Sequence, residues 1–122
     1  MTNQIQNSNG EKIYDLEVRT TLFGTQIISL CNSIRKTIIT VPLISQIIRS
    51  ATSVGANYME ANGADSKKDF HAKIGICKKE AKETIHWLRM IEFADETQRA
   101  LITRLLQEAK ELSLIFGAIN KK

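Results

Sequence analysis

One proline, Pro42, and six glycines in 122 residues leave no proline-rich linker and no glycine-rich loop of the kind that cradles phosphates. A Gly-x-Ser-x-Gly elbow is also missing, which removes one common route to nucleophilic catalysis. The two cysteines, Cys31 and Cys77, are too far apart in sequence for a zinc knuckle or a redox pair, and each falls on an apolar helical face. They read as reduced core thiols. No run approaches the roughly 20 apolar residues that a membrane helix requires. The opening MTNQIQNSNG lacks the basic start and the apolar stretch of a secretory signal. The expectation is therefore a cytoplasmic protein without membrane contact, with residues 1–13 as a flexible lead-in and 14–120 as one domain. Acidic residues are absent between Val18 and Met59, a stretch with four basic ones, which biases the chain toward anionic partners.

What is present is helical periodicity. With 43% apolar and 25% charged residues, a chain of this size can bury a core without metals or disulfides. From Asp15 onward, Leu16, Phe23, Ile27, Leu30, Cys31, Ile34 and Ile38 fall within about one third of a helical circumference. That spacing predicts a first helix of about six or seven turns, ended by TIITV and Pro42. A second helix starts near Pro42, presents Ile47, Ala51, Val54 and Tyr58, and stops at Asn62-Gly63, a pair suited to a left-handed cap. Ser66 and Asp69 resemble a capping box opening a third helix with Phe70, Ile74, Cys77, Ala81, Ile85 and Leu88 inward. Asp95 with Gln98 opens a fourth, carrying Leu101, Leu105, Ala109, Leu112, Phe116 and Ile119. Short connections between four such helices imply an all-α, antiparallel up-down-up-down four-helix bundle. Only IITV offers a β-like run, so a strand-rich fold is set aside.

Ile102 and Leu106 on the fourth helix, and Val18, Leu22, Ile28 and Ile39 near the first, lie off the main stripes. Surplus apolar surface of this kind has two sources, a wide monomer core or self-association, and the second is the expectation.

Catalytic groups are sparse. Glu83 and His86 form one Glu-x-x-His, half of the arrangement that di-iron bundles use, and no second copy exists. His71 and His86 stand too far apart on one helix to chelate a single ion. No enzyme, metal or cofactor is expected.

The third helix carries a different signal. With Phe70 at zero on the wheel, Lys68, His71, Lys78, Lys79, Lys82, His86 and Arg89 all fall between about 80° and 180°. Such a stripe is either an ordinary solvated face or a surface that neutralises phosphates of RNA or DNA. Arg35, Lys36 and Arg49 are further basic candidates. On the second helix Arg49, Ser53, Asn57 and Glu60 share one polar face, either exposed or bonded across a neighbouring helix or subunit. Small neighbours such as Ser50, Ala51 and Gly55 permit that close approach.

Arg49-Ser50-Ala51, Ser53, Ala56-Asn57, Glu60, Ser66, Asp69-Phe70, and Glu83 before Trp87-Leu88 together resemble the signature of the bacterial four helix bundle proteins. These are also known as 23S ribosomal RNA intervening-sequence proteins, and they are similar to the accessory variability protein of diversity-generating retroelements. The resemblance spans about Tyr14 to Ile119. The family often has Leu-Pro and then an acidic residue where this chain reads VPLISQ. The resemblance implies a four-helix protomer assembled as a homopentamer, without enzymatic activity. Its retroelement relatives bind nucleic acid and a reverse transcriptase through a basic surface. Two functions follow as expectations. One is a non-catalytic homo-oligomer that binds RNA or DNA backbone through Lys68, Lys78, Lys79, Lys82 and Arg89, with Arg35 and Lys36 contributing. The other is a protein-interaction scaffold, such as a reverse-transcriptase accessory subunit, with no nucleic-acid binding of its own.

Overall fold

The computed structural model describes residues 4–6 and 12–122. Four helices follow one another: α1 (Leu16–Ser33), α2 (Thr40–Asn62), α3 (Lys67–Ala94) and α4 (Arg99–Asn120), the last preceded by a single 3-10 turn, Glu96–Gln98. Ahead of them β1 (Gln4–Gln6) pairs antiparallel with β2 (Lys12–Tyr14), Ile5 opposite Ile13. The expectation of a flexible lead-in over 1–13 falls for the rest on residues outside those described.

Each helix packs on its sequence neighbours, and α1 closes against α4 through a lighter contact. Pairings fix the sense of the helices. Glu17 meets Asn62 while Gly24 lies against Thr52, so α1 and α2 run in opposite directions. Arg49 meets Glu80 and Glu60 meets Lys73 between α2 and α3, and His71 meets Asn120 while Lys78 lies against Gly117 between α3 and α4. One core runs through the middle. Its largest fully buried members include Phe23, Ile27 and Leu30 of α1, Ile47 of α2, Ile74 and Leu88 of α3, and Leu105, Leu112 and Phe116 of α4. Tyr58 reaches across to Phe116, with ring centroids 5.9 Å apart.

Caps explain most of the boundaries. Asp15 accepts from the Glu17 amide at 2.8 Å, and Ser66 accepts from the Asp69 amide at 3.0 Å, so each start has a side chain on an otherwise orphaned donor. Asp95 accepts from the Thr97 amide and hydroxyl at 2.9 and 2.6 Å, and these bonds hold its carboxyl below the usual carboxylate range. They cap the 3-10 turn, and α4 itself begins one turn later.

Two boundaries differ from the sequence expectation. Helix α1 ends at Ser33, not near Ile38, because side chains take up carbonyls at its end and just beyond it. Lys36 Nζ donates to the carbonyls of Cys31 and Ile34 at 2.6 and 2.9 Å, and Thr40 Oγ1 donates to that of Arg35 at 2.6 Å. Ile38, expected in the core, is consequently 91% exposed. At the end of α2, Gly63 is not left-handed, with φ −99°; its amide donates to the Glu60 carbonyl at 3.2 Å and tightens the last turn instead. Off-stripe Ile102 is fully buried in the core, whereas Leu22, Ile28 and Ile39 remain exposed. No helix among the described residues is long and apolar enough to cross a membrane.

Candidate nucleic-acid interface

Helix α3 carries acids and bases on opposite flanks, and its two neighbours treat the flanks differently. On the α2 side, Arg49 reaches over to Glu80, 3.3 Å from each carboxylate oxygen, and also pairs with Glu83. Glu80 is only 8% exposed, so this carboxylate owes its place in the interior to the guanidinium beside it. One turn along, the Ser50 and Thr84 hydroxyls meet at 2.9 Å, and Thr84 also donates to the Glu80 carbonyl at 2.8 Å. Lys73 pairs with Glu60 at 2.8 Å, and this hydrogen bond raises its ammonium pKa. The α1/α4 seam does the same with its own acids. Arg19 donates to Glu108 at 2.7 and 2.8 Å and to Glu111 at 3.0 Å. The Glu108 hydrogen bond raises the Arg19 pKa, and Gln107 and Arg19 together hold Glu111 low.

On the α4 side, among the described residues, Glu92 pairs with Arg99 near the connection between the helices, and the lysines farther along have no such partner. Lys78 and Lys82 of α3 share a groove of about 530 Å³ with Lys110 of α4 and Lys121 just beyond its end, with Ile85 and Leu114 also in its lining and no acidic residue there. Among the described residues, Lys78, Lys82, Lys110 and Lys121 form no ion pair. Four ammonium groups around one groove repel one another in the absence of counter-charge, and a polyanion is what lowers that energy.

The sequence-predicted residues are therefore split. Lys78 and Lys82 sit on the groove. Lys68, Lys79 and Arg89 are exposed on α3 outside its lining. Arg35 and Lys36 lie in the connection between α1 and α2, where the Lys36 ammonium is engaged on the end of α1. The polar face of α2 has its partners within the chain. Arg49 and Glu60 bond to α3, Ser53 Oγ donates to the Arg49 carbonyl at 2.6 Å, and Asn57 Nδ2 donates to the Ser53 carbonyl at 2.8 Å. Glu83 of the Glu-x-x-His is committed to Arg49 and to Trp87, whose Nε1 donates to it at 3.0 Å, while His86 packs edge-on against Trp87. No group of three or more His, Cys, Asp or Glu among the described residues is placed to hold a metal ion.

Lys110 and Lys121 were not singled out from the sequence. The signal was present, since positions eleven apart return to nearly the same helical angle, with Leu114 and Gly117 between them on that face. Which helix they would face was not legible from α4 alone.

Comparison with known proteins finds a matching family and similar solved structures. The sequence profile of the 23S rRNA-intervening sequence protein family matches residues 15–118. Among solved structures, a protein of unknown function from the S23 ribosomal protein family of Bacteroides thetaiotaomicron superposes with a TM-score of 0.78 at 28% sequence identity, over 88% of this chain and 100% of that one. No curated protein matches.

Proposed function

The chain belongs to the 23S rRNA-intervening sequence protein family, and from that premise we propose that it is a non-catalytic bundle binding the phosphate backbone of RNA or DNA through the basic flank of α3. One observation carries this reading. Neighbouring acids are consumed on the α2/α3 and α1/α4 seams, while Lys78, Lys82, Lys110 and Lys121 stand together without a carboxylate. Lys68, Lys79 and Arg89 extend the flank along α3. Contacts of this type supply affinity without reading sequence. The test is charge reversal at Lys78, Lys79 and Lys82 together, read by fluorescence anisotropy with a labelled RNA. A loss of at least about tenfold is expected, with the helical circular dichroism unchanged; undiminished binding would remove this surface from the account.

The same reading makes the chain a homo-oligomer, the pentamer that the resemblance implies. Ile28 and Met59 are exposed along the α1/α2 face, where the groove between the helices is lined only by Thr, Gly, Ala, Ile and Met, and Leu22 is exposed elsewhere on α1. Light-scattering mass on a sizing column tests it, and a monomer at all concentrations would refute it.

A second reading, a scaffold for another polypeptide such as a reverse transcriptase, is favoured by Ile38 and Phe93, both about nine-tenths exposed. Binding of a protein partner that hardly changes with salt and survives nuclease treatment would support it over the first.

A further inference from the structure

A duplex and a single strand offer a basic groove different surfaces. A duplex turns its bases inward and presents phosphate and sugar, whereas an unpaired nucleotide presents a phosphate and an apolar base face at once.

The α3/α4 groove has features for both parts of an unpaired nucleotide. Its lysines come from both sides, and its lining also includes the apolar residues Leu114, Ile85, Gly117 and Ala118. Leu114 is 74% exposed and lines the groove together with the lysines, so its apolar surface is open to a ligand there. Gly117 keeps the groove open. A Cβ there would stand 3.5 Å from Lys78 Nζ and 3.6 Å from its Cε, at ordinary contact distance, so an added methyl would fill part of the groove beside the Lys78 stem. A glycine within a helix disfavours that helix, and here it leaves space. Packed helices stand about 8–10 Å apart, so a trough between two of them admits a base edge-on or flat but not a duplex. No aromatic ring lines the groove. The base contact is then dispersion and burial of apolar area, which every base can supply.

We infer that the α3/α4 groove takes single-stranded nucleic acid, with unpaired bases against Leu114, Ile85 and Gly117 and their phosphates on Lys78, Lys82, Lys110 and Lys121. This rests on the phosphate-binding reading above and names the form of nucleic acid that the same site accepts.

The experiment uses the full chain with a labelled mixed-sequence RNA, once as a single strand and once annealed to its complement, each over a salt series. Wild type is compared with Leu114→Gln, which removes apolar lining without changing charge, and with the pair Lys78→Glu and Lys82→Glu. The single strand should bind at least about fivefold tighter than the duplex. Four phosphate contacts at about 0.7 each give a slope of log K against log salt near −3. Leu114→Gln should weaken single-strand binding by about three- to tenfold, leaving the salt slope and duplex binding unchanged. Equal affinity for the two forms, or an unaffected Leu114→Gln, overturns the inference, and if the lysine pair still abolishes binding the phosphate-binding reading stands. Undiminished binding by the lysine pair overturns both. So does a groove that ignores RNA and takes an acidic amphipathic peptide in a Leu114-dependent manner.

Discussion

Along its α2 side, α3 sets Glu80, Glu83 and Thr84 against Arg49 and Ser50, while along its α4 side it sets Lys78 and Lys82 against Lys110 and Lys121. The first seam satisfies its own polar groups: a nearly buried carboxylate has its guanidinium, a buried hydroxyl has a hydroxyl, and Cys77 Sγ donates to the Val54 carbonyl at 3.5 Å. The second seam gathers four lysines and pairs none of them internally, its own bonds, His71 with Asn120 and Glu92 with Arg99, lying toward its two ends. The contrast separates what α3 does for the fold from what it offers to a partner. Changes on the α2 side should act on stability with binding intact, and changes on the α4 side the reverse.

The largest expected effect lies in the buried core, away from the groove, and is driven by pH. Burial pushes the thiols of Cys77 and Cys31 up to about 12 and about 11, from an ordinary value of 9.0. Above pH 9 the unfolded chain loses these protons while the folded one keeps them. Stability therefore declines as pH rises, by about 1.4 kcal/mol per pH unit for each thiol until its folded pKa is reached. Urea melts at pH 8, 9 and 10 should show that decline, and replacing both cysteines by alanine should flatten it. Next, Arg49→Ala strips the cation from Glu80. Because Arg49 is itself about half exposed, the cost falls short of a fully buried pair, about 1–3 kcal/mol by chemical denaturation, with RNA affinity unchanged. Thr84→Val keeps the shape but removes one partner of the Ser50 hydroxyl, and should cost about 1 kcal/mol. The smallest effect has the opposite sign and lies on the open side. Gly117→Ala places its Cβ at ordinary contact distance from Lys78 and improves the propensity of α4. It should raise stability by up to about 1 kcal/mol while making the groove shallower and RNA binding weaker. A Gly117→Ala chain that gained stability with no loss of binding would break the comparison.

The helices were legible because their apolar spacing, their caps at Ser66 and Asp95 and the break at Pro42 all point the same way. The end of α1 was not, because Lys36 and Thr40 stop the helix through side-chain bonds to carbonyls that leave no periodic trace. Half of the candidate site was equally visible. Lys78 and Lys82 share a flank of α3 that a helical wheel displays, whereas the arrival of Lys110 and Lys121 opposite them depends on how α4 is rotated in the bundle. The partners of Arg49 depend likewise on tertiary packing. The wheel placed Arg49, Ser53, Asn57 and Glu60 on one face, and only the position of α3 shows that Arg49 and Glu60 bond across it.

Lysine footprinting tests the central claim most directly. The chain is treated with an amine-acylating reagent with and without single-stranded RNA at low salt, and modification at each lysine is read by mass spectrometry. Lys78, Lys82, Lys110 and Lys121 should be protected together by RNA, while Lys73, held by Glu60 on the α2 side, should react alike in both. Protection spread evenly over all lysines, or absent from these four, would contradict the account.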